Sequence, residues 1–187
     1  GSENNSSSTD TNYRDLIDYS DVNVDMTINL ESNQANGEGQ GTDTLYDIQD
    51  VLGSSANDNI TGKTGEVNSL LGENGNDTFY ATLDGDFIYG GNTTTDTGND
   101  TADYSAIDLN DGRSINVDLS KNNTSGNEKV QENGTPSNFD ILDGIENIIG
   151  TQNDDFIRGS DTLTEINTLD GDKGNDTFYS SDGVDSF

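Results

Sequence analysis

The sequence predicts an all-β chain built from two tandem units, and three observations carry that prediction. The six residues Gly-Asn-Asp-Thr-Phe-Tyr stand at 75–80 and again at 174–179, an offset of 174 − 75 = 99. Val22, Val24, Met26, Ile28 and Leu30 alternate with polar residues, and Ile115, Val117 and Leu119 repeat the alternation, the period of a half-buried strand. No stretch sustains an apolar face at i, i+3, i+4 spacing, because Gly, Asn, Asp and Ser interrupt every candidate helix.

Taken in order, residues 1–12 are polar and without period and are expected to be a disordered lead-in, its leading Gly-Ser resembling a cloning scar. Asp18-Tyr19-Ser20 precedes the first alternation and Asp103-Tyr104-Ser105 the second. Each alternation runs into a segment read as a polar loop, at 31–43 and 121–138. "IQDVLGSSANDNITG" (48–62) then aligns with "IENIIGTQNDDFIRG" (145–159), and "VNSLLG" (67–72) with "INTLDG" (166–171). The first unit is therefore placed at 13–102 and the second at 103–187. The second stops at Phe187 where the first continues with "IYGG", so a fragment of a longer array is expected. Residues 139–149 are the one place where a helical turn is conceivable, with Gly144 in its middle.

Composition sets the physical problem. Against 37 Asp and Glu stand 7 Lys and Arg, a formal charge of −30, with a hydrophobic fraction of 27%. Such a chain borders on disorder and repels itself when compact, so something must neutralise its carboxylates. There is no Cys and no His, which removes disulfides, thiolate sites and the commonest transition-metal ligand. Hard oxygen donors remain, the kind calcium takes. The acidity disfavours nucleic acid. No apolar run approaches the roughly 20 residues that span a bilayer, and no signal-peptide pattern opens the chain.

A finer rhythm runs inside each unit. Asp-x-apolar recurs at Asp58, Asp77, Asp86 and Asp100, then at Asp155, Asp176 and Asp185. From Asp77 to Asp86 is nine residues, as is Asp176 to Asp185. Glycines two and five places earlier, among them Gly72, Gly75, Gly171 and Gly174, allow tight turns whose carbonyls face a cation. The Asp adds a carboxylate oxygen, and the apolar residue two places on packs into a thin core. One such turn supplies only part of the six to eight oxygens calcium needs, so stacked turns must share each ion.

From about residue 13 onward these features resemble the haemolysin-type (RTX) calcium-binding repeat, Gly-Gly-x-Gly-x-Asp-x-apolar-x. The resemblance implies a calcium-stabilised parallel β-roll or β-solenoid, with Asp58, Asp77, Asp86, Asp100, Asp155, Asp176 and Asp185 as ligands in turns shaped by Gly72, Gly75, Gly171 and Gly174. It also implies a bacterial protein exported by type I secretion, calcium-free inside the cell and folding outside. The pattern departs from the family's at Glu73 and Asp172, which replace the second Gly, at Ala56 and Asp84, which replace the fourth-position Gly, and at Ala102, small after Asp100. The insertion "NTTTDT" precedes Gly98. Fewer ions than motifs are expected.

The resulting expectation is a non-catalytic structural or adhesive module of a secreted or cell-surface protein, adhesin-like or surface-layer-like. Its partners are calcium and neighbouring repeats of the same chain. The alternatives are a calcium-scaffolded module for cell-surface glycans or a partner, or an accessory module of a secreted enzyme. Tyr80, Tyr89 and Tyr179 are candidate sugar contacts, with core packing the stronger expectation for them. "DGDKGND" fails as an EF-hand, since Asn175 holds the position of its Gly and Ser181 that of its Glu. The Asn-x-Ser/Thr sequons at Asn76 and Asn175 follow from the repeated phrase itself. No His, Cys or Lys constellation activates a Ser, and no carboxylate pair stands out as acid and base.

Overall fold

A computed structural model describes residues 13–91, 98–107, 112–120, 128–132, 139–161, 166–179 and 181–187. The expected lead-in at 1–12, the insertion at 92–97 and most of the 121–138 segment lie outside them. Among the described residues the chain is all-β, without helix. Among these residues no helix is long and apolar enough to cross a membrane.

The chain alternates between two sheets. β1 (Leu16–Asp18), β5 (Asp50–Leu52), β7 (Ser69–Leu71) and β9 (Phe87–Tyr89) lie in the first sheet. β2 (Met26–Asn29), β6 (Asn59–Thr61), β8 (Thr78–Tyr80) and β10 (Thr101–Asp103) lie in the second. Successive strands within each of these sets pair in parallel. β11 (Ile115–Asp118) returns to the first sheet, β14 (Asn147–Ile149) to the second, and β15 (Phe156–Arg158), β16 (Ile166–Asp170), β17 (Thr177–Tyr179) and β18 (Val184–Ser186) continue the alternation.

Register stacks like on like. In the second sheet Ile28, Ile60, Phe79, Ala102, Ile148 and Leu169 form one row. In the first, Val51, Leu70, Ile88 and Leu142 form another. All ten side chains are buried in one apolar cluster. Val51, Ile60, Leu70, Phe79 and Ile88 follow one another at nine or ten residues (60 − 51 = 9, 70 − 60 = 10), so each nonapeptide contributes one apolar residue to these rows, and Met26, Leu30, Leu83 and Tyr104 add to the same core.

Two antiparallel meanders interrupt the winding. β2 is followed by β3 (Gln34–Gly37) and β4 (Gly41–Thr44), and β11 by β12 (Glu128–Glu132) and β13 (Phe139–Asp143). The segment 31–43 is thus not the loop its composition suggests. Asn33, Gly39 and Gly41 take positive φ at its turns (56°, 76° and 87°), and Ala35 is buried. Residues 139–149 form β13 and β14 around Gly144 at φ 66° instead of a helical turn.

The two copies sit on opposite sheets. From β1 to β10, which carry the Asp18 and Asp103 counterparts, the alternation takes seven steps between sheets, with one meander on the way. Seven is odd, so β10 begins on the second sheet where β1 began on the first. Tyr19 donates its hydroxyl to Asp43 Oδ2 at 3.0 Å and Tyr104 its own to Asp140 Oδ2 at 3.1 Å, which marks the two copies as equivalent in detail.

Candidate functional site: the aspartate columns

The repeated phrase is explained first by stacking. Gly75 and Gly174 have φ of 127° and 123°, a region open mainly to glycine, and a Cβ on either would run into the carbonyl of Ala56 or Asn153 in the preceding turn. A Cβ on Gly72 or Gly171 would strike the carboxylate of Asp77 or Asp176. The Asn and Asp then form two hydrogen-bonded columns of opposite polarity. Asn76 N–H donates to Asn57 Oδ1 (2.8 Å) and Asn99 N–H to Asn76 Oδ1 (2.9 Å). One residue further in, Met26 N–H donates to Asp58 Oδ1 (2.8 Å), Asp58 N–H to Asp77 Oδ1 (2.7 Å) and Asp77 N–H to Asp100 Oδ1 (2.8 Å).

These columns bring some of the expected aspartates together and separate others. Asp58, Asp77 and Asp100 stack along the second sheet, and Asp100 N–H continues the column to Glu146 Oε2. Asp155 and Asp176 stack along the first, where Ile115 N–H donates to Asp155 Oδ1 and Asp155 N–H to Asp176 Oδ1. Asp86 stands apart between Asn68 and Asp140, accepting Asn68 N–H at 2.8 Å and donating its own N–H to Asp140 Oδ1 at 2.9 Å. Asp185 pairs in register with Asn167.

Sequence reasoning missed Asp140, Asn68, Asn167 and Glu146. The signal was present for three of them, since Asp140, Asn68 and Asn167 each stand two places before a buried leucine (Leu142, Leu70, Leu169). Searching for Asp alone passed over the amides. Asn68 Oδ1 accepts Lys63 N–H and Asn167 Oδ1 accepts Ser160 N–H, so an amide oxygen serves at this position too.

The turns are of two kinds. At Asp58, Asp86, Asp155 and Asp185 a hydroxyl four residues earlier caps the carboxylate, from Ser54, Thr82, Thr151 and Ser181. At Asp58 and Asp155 the backbone N–H of that Ser or Thr also donates, so both oxygens accept hydrogen bonds. The turns of the repeated phrase instead place an acid after the first glycine, and Glu73 (φ 78°) and Asp172 (φ 58°) occupy the left-handed region that glycine usually fills there. The family's second glycine is thus replaced in type while its backbone shape is kept.

Burial sets the electrostatics. Asp58, Asp77, Asp86, Asp100, Asp140 and Asp155 are all buried, and Asp176 and Asp185 are half-buried. Desolvation pushes the carboxyls of Asp58, Asp155 and Asp140 above their ordinary value. Desolvation, with the charge of Asp140 beside it, raises Asp86 to about 7. Ion pairs such as Arg14–Asp50, Lys63–Glu66 and Arg158–Asp161 stand at the surface.

A folded carboxyl whose pKa is raised binds protons the unfolded chain has lost, so stability is greatest below the unfolded value and is lost as pH rises through the folded one. For Asp86 that window runs from 3.8 to about 7. In EDTA the chain is expected to give a coil signal near pH 8 and to gain β signal as pH is lowered to about 5, because protonation removes the charge that burial penalises. A β signal that stays flat or falls over that range would contradict the electrostatic account.

Among the described residues, no group of three acidic side chains is arranged to hold a metal ion. The donor set is nevertheless all oxygen, as calcium requires. At Asp185 one buried oxygen, Oδ1, has no hydrogen-bond partner, and Asn167 Oδ1 lies beside it, both within 3.0 Å of where a Cβ on Gly159 would stand. The fit is therefore partial: the capped turns of Asp58 and Asp155 are filled by hydrogen bonds, while Asp185 keeps one buried oxygen without a hydrogen-bond partner and the phrase turns add a second acid, Glu73 or Asp172. No family model matches the chain, and no curated protein sequence matches it.

Proposed function

We propose that this chain is a calcium-binding, non-catalytic structural repeat module, wound as a β-roll, of a secreted or cell-surface bacterial protein. The observation that carries the reading is the burial of stacked carboxylates in a chain with 37 acids and 7 bases. At least 37 − 7 = 30 carboxylates have no side-chain cation to answer them one for one, and a compact state needs them neutralised. Calcium supplies two positive charges to oxygen ligands and tolerates irregular geometry. Glu73 and Asp77, Asp172 and Asp176, and Asp185 with Asn167 are the residues that would hold it, with the other capped aspartates, Asp58, Asp86 and Asp155, serving as hydrogen-bond acceptors. Binding would then be coupled to folding, and a chain exported unfolded by type I secretion would acquire its structure in external calcium.

Equilibrium dialysis against calcium, with magnesium as competitor, tests the proposal. More than one ion and fewer than seven per chain are expected. No binding beyond the magnesium control would overturn the calcium reading, and seven would overturn the division between capped and open turns.

A second reading, recognition of glycans or of a partner surface, gains from one correction. Tyr80 and Tyr179 are 37% and 50% exposed, and Tyr89 is half-buried, so none of them packs in the core as expected. Their strands point the preceding residue inward, Phe79 and Phe178, which leaves the tyrosines on the outer face. Binding of the calcium-loaded chain to a glycan array, lost on Tyr80→Ala with Tyr179→Ala, would favour this reading over a purely structural one.

A further inference from the structure

The outer face of the second sheet carries one kind of side chain along its middle. In β2, β6, β8, β10, β14 and β16 the residue just before the core residue points away from the core. In register these are Thr27, Asn59, Thr78, Thr101, Asn147 and Thr168. The meander carries the row on through Asn36 and Thr42. None of the eight is charged or apolar, and none is buried. Strand propensity does not account for the row, because the same position in the first sheet holds Leu16, Asp50, Ser69, Phe87 and Ile141.

The side chains at the centre of the row are also unspent. Asn57 and Asn76 use their amide oxygens inside the asparagine column. Among the described residues, by contrast, no hydrogen bond engages the side chains of Thr27, Asn59 or Thr78. Tyr80 stands two residues along from Thr78, 37% exposed, in a second outward row that runs from Asn29 through Thr61 to Tyr80. On its other side Asp103 is buried, with its carboxylate accepting Ser105 N–H.

This pattern selects its partner. In a chain of charge −30, a row of hydroxyls and amides without a carboxylate or a base matches a ligand that is itself uncharged and rich in hydroxyls. An aromatic ring beside convergent polar groups suits a sugar, whose C–H face packs on the ring while its hydroxyls meet the polar neighbours. Strands follow one another at about 4.7–4.9 Å, close to the length of one pyranose unit in an extended chain. We propose that the row binds an extended, uncharged polysaccharide lying across the strands, with one ring on Tyr80 and its hydroxyls on Thr27, Asn59 and Thr78. This rests on the second reading above, recognition of glycans, and gives it a face and a ligand class.

Affinity electrophoresis of the calcium-loaded chain through gels containing hydroxyethyl cellulose or galactomannan, with alginate as the anionic counterpart, tests it. Retardation by at least one of the neutral polymers is expected, and none by alginate. Tyr80→Ala, and Thr27→Val with Thr78→Val, are each expected to weaken binding at least about tenfold. Valine suits an exposed strand, so the circular dichroism in calcium stays unchanged. Should the valine pair disturb the fold, Asn59→Asp replaces it, keeping the side-chain shape and placing a charge in the row. Thr177→Val, at the same position of the phrase on the first sheet, is expected to change nothing. Retardation by neither neutral polymer, retardation by alginate of equal strength, or binding that survives every variant of the row would overturn the proposal. A glycan-array signal in any of those cases keeps glycan recognition and removes only this face and ligand class, whereas a blank array removes both.

Discussion

Phe79→Ala is expected to remove about 3–5 kcal/mol of stability from the calcium-loaded chain. Few domains have more than 5–15 kcal/mol in total, so the loss is severe. Phe79 is fully buried and stands in register between Ile60 and Ala102. The small Ala102 beside it leaves the ring to fill its own layer, so its removal is expected to leave a cavity. Phe178→Ala provides the internal control. The same residue of the same phrase is half-buried there, so about 1–2 kcal/mol is expected for the area it covers. Urea denaturation in calcium measures both, and equal losses would show that the stacked apolar row is not what holds the layers together.

Asp155→Ala is expected to cost about 3 kcal/mol or more, because each buried donor left without its acceptor costs about 1–3 kcal/mol. Three donors lose theirs: Ile115 N–H, Thr151 N–H and the Thr151 hydroxyl. Relief from burying a charge offsets part of this, since desolvation already raises the Asp155 carboxyl. Asp155→Asn separates the roles. The amide oxygen can take Ile115 N–H, as Asn68 and Asn167 show that an amide oxygen serves in this position, while the amide nitrogen faces Thr151 N–H. A loss of about 1 kcal/mol follows. An alanine variant within about 0.5 kcal/mol of the parent would remove the hydrogen-bonded column from the account.

The strands were legible because their period is short and local. The alternation at 22–30 and the Asp-x-apolar rhythm placed Ile60, Phe79, Ile88 and Ile157 in the core, and all four are buried. The meander strands were not legible. β4 is Gly-Thr-Asp-Thr with every residue exposed, and only pairing to β3 makes it a strand. The site was legible as positions and incomplete as chemistry. Asp58, Asp77, Asp155 and Asp176 each directly precede a strand, but the residue four places earlier differs, a hydroxyl that caps the carboxylate at Ser54 and Thr151 and an acid at Glu73 and Asp172. Asp140 was hidden because its partners, Gly85, Asp86 and Tyr104, lie 36 or more residues away.

The central claim is that calcium neutralisation is what lets these columns form. Far-UV circular dichroism of the EDTA-treated chain during a calcium titration at neutral pH, with magnesium as control, tests it most directly. The account predicts a cooperative change from coil to β signal that calcium produces and magnesium does not. A β spectrum already present in EDTA and unchanged by calcium would contradict it, and would leave the hydrogen-bonded columns as the sole means by which this chain tolerates its charge.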